Sequence, residues 1–256
     1  MKYTMSVAVL IFAILPPCVA ENINPTNYTR SVVSIFAYFD AEHAKQNPKY
    51  DGNLGTAWFL NSDRIIVTAT HVIDGTTITS TNWTEVIFRQ ESVSGEPVRK
   101  EANEARLVAR LGPPMESASI LELKRSFTNA IPLSVNSTPL TKGDSVVSVA
   151  YPNKRLRFAT GQFLGTVPTN AKEEKLAGLA LFELADGNQR DALDHGSSGG
   201  PILDKYGQVV GVISALLYIG EISFGDKTVK YTASWGNPNM SAIPTDLSNN
   251  FFAPKK

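Results

Sequence analysis

The sequence predicts an all-β protein in which two antiparallel barrels follow one another along the chain. Apolar residues, rich in Val and Ile, form runs of about four to eight residues that Gly, Pro, Asn and Asp interrupt, with little helical periodicity. A first series of runs lies at 31–39, 56–60, 64–69, 85–89, 105–111, 119–123 and 145–150. A second lies at 161–167, 178–183, 201–203, 208–217 and 228–233. Two barrels joined near residues 124–144 fit these series, one over about 28–125 and one over about 140–245.

The composition is that of a folded protein, with 43% hydrophobic and 19% charged residues in a chain of 256. Disordered, collagen-like and coiled-coil chains are therefore excluded. The 24 Lys and Arg residues balance the 24 Asp and Glu residues, so no basic field attracts nucleic acid or an anionic membrane surface. Partners must then be recognised by local chemistry.

The first twenty residues have the features of a secretory signal peptide. Lys2 precedes an apolar run over 6–15, the pair Pro16-Pro17 breaks it, and Ala20 ends a segment suited to cleavage. The run is about half as long as a bilayer span requires, so stable membrane insertion is not expected. The sequence therefore predicts a signal peptide over 1–20 and an exported mature protein over 21–256, periplasmic or secreted.

The mature chain contains no cysteine, so its fold must be stabilised by a hydrophobic core alone. Disulfide frameworks, zinc–thiolate sites and cysteine nucleophiles are excluded with it. The three histidines, His43, His71 and His195, lack the spacing of a metal site, and we expect neither a metal nor a cofactor.

Two further segments have a predicted local structure. The polar stretch 40–53 is typical of a long surface loop. Near the C-terminus, the sequence Pro-Thr-Asp-Leu at 244–247 can cap a short terminal helix.

A glycine-rich turn at 196–201, Gly-Ser-Ser-Gly-Gly-Pro, is the first candidate for chemistry. Three glycines in five positions destabilise a chain unless the backbone must adopt unusual torsion angles. Such a turn can point backbone N–H groups at a developing oxyanion while presenting a nucleophile. In this interpretation Ser198 attacks a carbonyl, and the amides of Gly196 and Ser198 bind the negative oxygen.

The second candidate is His71, which follows a predicted strand and a turn of small residues. An imidazole has a pKa of about 6.5, which suits a general base at neutral pH if another group orients it. A histidine at a strand end is often structural, but the serine turn downstream gives His71 a partner.

Together these segments resemble the trypsin/chymotrypsin-type serine proteases, and among them the bacterial HtrA-like branch. The resemblance covers nearly the whole mature chain through GTAWFLNSDRIIVTATHVIDG, DHGSSGGPILDKYGQVVGVISA and SAIPTDLSN. It implies two six-stranded barrels with the active site between them, and proton transfer from Ser198 to His71 and then to the leaving amine. HtrA-like proteases usually carry a PDZ domain after the protease domain, and we expect none here.

The resemblance also implies an aspartate that orients the histidine, and this sequence has none at that position. Alignment with the family pattern places Ser117 there, with Glu116 beside it. Strand side chains alternate, so Glu116 should point away from His71 unless a bulge turns it inward. Ser117 orients His71 through a neutral hydrogen bond, or Glu116 is recruited, or catalysis is lost.

The same resemblance assigns the specificity pocket to Ala192 and Leu193, before the nucleophile, and to Ser214, Ala215 and Leu216 on the following strand. Because none of these residues is charged, we expect small or medium apolar side chains at the cleaved position.

The leading hypothesis is an exported serine endopeptidase that acts on proteins or peptides. The alternative is an impaired pseudoprotease that binds a protein partner in the same cleft. A carboxylate within reach of His71 favours catalysis, and its absence favours binding.

Overall fold

This computed structural model describes residues 25–92, 94–111, 117–166, 179–185, 194–214, 220–224 and 227–236. The first six strands are β1 (Val32–Tyr38), β2 (Gly52–Phe59), β3 (Ile65–Ala69), β4 (Thr84–Glu91), β5 (Pro97–Leu111) and β6 (Ala118–Leu123). The others are β7 (Ser145–Ala150), β8 (Arg157–Thr166), β9 (Ala180–Ala185), β10 (Pro201–Leu203), β11 (Val209–Val212), β12 (Gly220–Phe224) and β13 (Lys227–Gly236). The helices are α1 (Ala41–Gln46) and α2 (Thr70–Ile73), with 3₁₀ turns at Pro25–Tyr28 and Pro152–Lys154. Among these residues, no helical segment has the length and apolar character that a membrane crossing requires.

The first six strands form a closed antiparallel barrel in the order β1-β2-β3-β6-β5-β4. The pairing of β1 with β4, which joins Ser34 to Arg89 and Phe36 to Ile87, closes it. Every strand therefore has two neighbours, so the barrel has no open edge.

The second sheet has the order β11-β10-β7-β8-β9-β13-β12. A further pairing of β11 with β13 joins Val212 to Trp235, so six of its strands form a continuous ring and β12 extends from β13. The all-β class and the two-barrel arrangement predicted from the sequence are confirmed.

The core has three parts because both faces of the central strands are buried. One cluster, with Phe59, Ile66 and Phe88, fills the first barrel. Another, with Phe163 and Phe182, fills the second. The largest cluster joins Trp58 and Leu60 of the first barrel to Val149, Tyr151 and Leu203 of the second. Burial on both faces explains why β3 is apolar at every position except Thr68, rather than alternating between apolar and polar residues.

Three local features differ from the sequence prediction. The segment expected to be a loop over 40–53 contains α1, because the Asp40 side chain accepts hydrogen bonds from the N–H groups of Glu42 and His43. Strand β5 begins eight residues before the predicted run. The prediction missed its first half because those residues are mostly polar and largely exposed. Strand β12 was not predicted. The predicted signal peptide over 1–20 and the terminal helix near 244–247 lie outside the described residues.

Candidate active site

His71 lies in the single turn of α2, directly after β3. The side-chain amide of Asn53 on β2 donates hydrogen bonds to the carbonyls of His71, at 3.3 Å, and Asp74, at 3.1 Å. These bonds tie α2 to the neighbouring strand. The Nδ1 atom of the His71 ring is shielded from solvent.

Ser198 lies in the glycine turn before β10 and is 7% exposed. Gly196 and Gly199 on either side have φ angles of +98° and +91°, in the left-handed region. A Cβ atom on Gly199 would lie 2.1 Å from the carbonyl oxygen of Thr56 and 2.4 Å from the Thr68 hydroxyl. Glycine is therefore required at 199 by torsion angle and by space.

The serine turn and the histidine turn pack against the same residue of β2. A Cβ atom on Gly55 would lie 2.6 Å from the side chain of Val72, which follows His71, and 3.1 Å from the carbonyl oxygen of Ser198. The N–H of Thr56 donates to that same carbonyl at 2.7 Å. The structure thus brings the turns that carry Ser198 and His71, 127 positions apart in the chain (198 − 71), to the same part of β2 in the first barrel.

Thr56 connects this turn to both sheets. Its buried hydroxyl donates to the carbonyl of Gly196 at 2.7 Å and accepts the N–H of Tyr151 at 2.9 Å. Its own carbonyl accepts the hydroxyl of Thr68 at 2.7 Å. Sequence reasoning missed Thr56 because a threonine in a strand is an ordinary residue. The small-residue step Gly55-Thr56-Ala57 was the only signal.

The segment before Ser198 is held by Asn153 of the second sheet's 3₁₀ turn. The Asn153 backbone N–H donates to the carbonyl of His195 at 2.7 Å, and its side chain donates to Asp194 at 2.6 Å. The N–H of His195 also donates to Asp194, at 2.7 Å. The backbone bond from His195, and then the Asn153 side chain, hold the pKa of Asp194 below its usual value.

The backbone amides of Gly196 and Ser198 are the predicted donors of the oxyanion hole. Among the described residues, neither the N–H of Gly196 nor that of Ser198 donates a hydrogen bond. Both donors are therefore available to a negative oxygen, which is the chemistry that an oxyanion hole requires.

A cluster of hydroxyls occupies the predicted acid position. Ser117 is fully buried, and its Oγ lies 2.7 Å from the hydroxyl of Thr70, which in turn lies 2.9 Å from that of Ser119. The N–H of Thr70 donates to the carbonyl of Ser117 at 2.7 Å, which fixes Ser117 beside the residue that precedes His71. This cluster is uncharged, and Glu116 lies outside the described residues.

Only one of the five predicted pocket residues can be placed. Ser214 follows β11 and is fully buried, and its Oγ has no hydrogen-bond partner among the described residues. Ala192, Leu193, Ala215 and Leu216 lie outside them. In the described part of the chain, no group of three or more His, Cys, Asp or Glu side chains could hold a metal ion.

Comparison with known proteins gives one family and one fold. A model of the trypsin-like peptidase domain matches residues 55–212. The Rv3671c protease of M. tuberculosis is similar in its inactive form, with 17% identity over 89% of this chain and 94% of that chain at a TM-score of 0.57. The active form of the same protease is 18% identical over 91% of this chain and 89% of that chain, with a TM-score of 0.53.

The HtrA-type protease AlgW, solved with a tripeptide, is 16% identical over 80% of this chain and 56% of AlgW, with a TM-score of 0.53. No curated protein sequence matches the chain. The structural similarities concern the fold, whereas the family model spans more than half of the sequence and includes both His71 and Ser198. On that ground, this chain belongs to the trypsin-like peptidase domain family.

Proposed function

We propose that this protein is an exported serine endopeptidase with Ser198 as nucleophile and His71 as general base. The observation that carries the proposal is the shared position of their two turns against Gly55. Two left-handed glycines flank a nearly buried serine, and a nucleophile with an adjacent oxyanion site needs a turn of this kind.

In the proposed mechanism His71 accepts the Ser198 proton as the hydroxyl oxygen attacks the substrate carbonyl. The N–H groups of Gly196 and Ser198 bind the developing oxyanion, and His71 then protonates the leaving amine. Water repeats the sequence on the acyl-enzyme, which releases the acid and regenerates Ser198. Each oxyanion donor contributes a factor of about 10² to 10³ in kcat.

The neutral hydroxyls of Ser117, Thr70 and Ser119 at the acid position predict a slow enzyme. Where an aspartate is lost and the wrong histidine tautomer results, kcat falls by about 10⁴, although the oxyanion site still accelerates the reaction. Apolar side chains at Ala192, Leu193, Ala215 and Leu216 support cleavage after small or medium apolar residues.

The same cluster favours a second candidate function. Where no carboxylate orients His71, the cleft would be that of an impaired pseudoprotease, which binds a polypeptide and leaves it intact. Catalysis depends on the Ser198 hydroxyl, whereas binding does not, so one substitution separates the two.

A fluorophosphonate probe tests the proposal by reacting with an activated serine. We expect labelling of the wild-type protein and none of Ser198→Ala, with Ser94→Ala as a control because Ser94 lies on the surface, outside the site. Equal labelling of all three folded proteins, or no labelling of any, would refute the enzyme and leave the binding protein.

A further inference from the structure

We propose that a basic groove on the outside of the first barrel is a subsite for an acidic segment of the polypeptide substrate. This inference rests on the proposed function and names part of its substrate class. The groove is a cavity of about 290 Å³. It is lined by Ser34, Phe36, Tyr38, Leu54, Ile87, Arg89, Lys100 and Lys154.

Strand register explains how these side chains come together. Phe36 on β1 is paired with Leu54 on β2 and with Ile87 on β4, so an apolar row crosses three strands. A second row runs beside it, because Arg89 on β4 is paired with Ser34 on β1 and with Lys100 on β5. Side chains two residues apart share a sheet face, so both rows lie on the outer face of the barrel.

The charges of the groove have one sign. Arg89, Lys100 and Lys154 line it, and none of its lining residues is a carboxylate. The charge of Arg89 is partly neutralised by Glu91, whose Oε1 atom lies 2.7 Å from Nη2 of Arg89. Lys100 and Lys154 are exposed and form no ion pair with any described residue. In a protein with no net charge, this local excess selects a negatively charged ligand.

The groove is next to the serine turn. The side chain of Leu54, which is one of its lining residues, lies 3.2 Å from the position of a Cβ atom on Gly196. Lys154, at its rim, follows Asn153, whose N–H binds the carbonyl of His195 in the same turn. A polypeptide that places its scissile bond at Ser198 can therefore continue into the groove.

The backbone at the rim supports a functional role. Asn153 and Lys154 have φ angles of 51° and 65°, two consecutive left-handed residues without glycine. Asparagine tolerates this conformation, but a lysine in it raises the free energy of the folded state. Such strain persists where the surroundings impose it, and it is concentrated at binding and catalytic sites.

These features fit a segment that joins an acidic side chain to an apolar one. A carboxylate would lie between Lys100 and Lys154, while its apolar neighbour would cover Phe36 and Leu54. The position beside the serine turn favours a substrate polypeptide over a free anion or an anionic lipid.

Binding to the inactive Ser198→Ala protein separates this inference from catalysis. Each fluorescent peptide contains one apolar residue and one Glu, and the Glu is placed in turn at each position on both sides of the apolar residue. Matched peptides carry Gln in place of Glu, and binding is measured by fluorescence anisotropy. We expect a Glu preference at one or two positions, of about three- to tenfold, as two partly exposed ion pairs provide. The preference should decrease as salt increases.

Three variants in the same background identify the groove. K100Q/K154Q should abolish the Glu preference and leave binding of the Gln peptide unchanged, and K100E/K154E should favour a Lys peptide. Lys142→Gln, which alters an exposed lysine outside the groove lining, should behave as the parent does.

Equal binding of Glu and Gln peptides, or a Glu preference that survives K100Q/K154Q, would overturn the proposal. The proposal would also be overturned if inorganic phosphate or phosphatidylserine vesicles displaced the fluorescent Glu peptide as effectively as the unlabelled Glu peptide does. Either result would indicate a general anion site or a lipid site. If the fluorophosphonate does not label the wild-type protein while the Ser198→Ala protein still prefers Glu peptides, only the catalytic proposal is refuted.

Discussion

Replacing Thr56 with valine removes one hydroxyl and keeps the shape of the side chain. That hydroxyl is buried and joins the Gly196 carbonyl to the Tyr151 N–H. The substitution leaves both backbone groups without this partner, in a place that water does not reach. It therefore tests whether Thr56 holds the serine turn in position.

The expected magnitude follows from these two lost bonds. Each buried polar group without a partner costs about 1–3 kcal/mol, so Thr56→Val should lower the free energy of unfolding by about 2–6 kcal/mol. For a chain of this size, this corresponds to a Tm decrease of about 4 °C or more. If Gly196 shifts once its carbonyl is released, so that its own N–H no longer points at the oxyanion, one oxyanion donor is lost, which reduces the rate by about 10² to 10³.

Urea unfolding and the rate of fluorophosphonate labelling measure the two effects separately. Thr56→Ser is the matched control, since it keeps the hydroxyl and loses one methyl group, at a cost of about 1 kcal/mol. The reasoning is refuted if Thr56→Val unfolds within about 0.5 kcal/mol of the wild type, a change typical of a neutral surface substitution. Equal effects of the two substitutions would also refute it.

Three more expectations concern the site. Ser117→Asp should increase the labelling rate by at least tenfold and by up to about 10⁴-fold, because a carboxylate orients the histidine, whereas the neutral Ser117→Asn should not. Gly199→Ala should cost about 3 kcal/mol or more in thermal unfolding, since its Cβ meets backbone at 2.1 Å. The control Gly143→Ala, with a similar φ of +94° but open space, should cost about 1 kcal/mol. Because the pKa of Asp194 is lowered in the folded state, its carboxylate stabilises the fold. This contribution is complete above about pH 3.9 and is lost as the pH falls through the lowered pKa. Asp194→Asn should therefore show a weaker pH dependence of stability below about pH 4, and an unchanged acid profile would contradict the assignment.

The predicted strands agree with the structure where the sequence pattern reflects burial. The runs at 31–39, 64–69, 119–123 and 145–150 correspond closely to β1, β3, β6 and β7, because these strands have mostly buried side chains. The polar first half of β5 was missed, since it is a strand only through its pairing with β4. Helix α1 was missed because it has no buried face to create a periodic pattern.

The sequence alone determined the chemical groups available to this protein. It shows a serine in a glycine turn, a histidine after an apolar strand and a single cysteine, at position 18, and it predicts Ser117 where the family pattern has an aspartate. These are properties of residue type and local spacing. They predict the fold class and the nucleophile, because both leave short-range patterns in the chain.

Only the tertiary structure decided which distant groups meet. The contact of Thr56 with Gly196 spans 140 positions, and the basic groove combines four strands with a turn of the second sheet. Such contacts depend on strand register, barrel closure and the apolar cluster that joins the two sheets. These are non-local arrangements whose free energy comes from burial across the whole fold, and no window of sequence contains them.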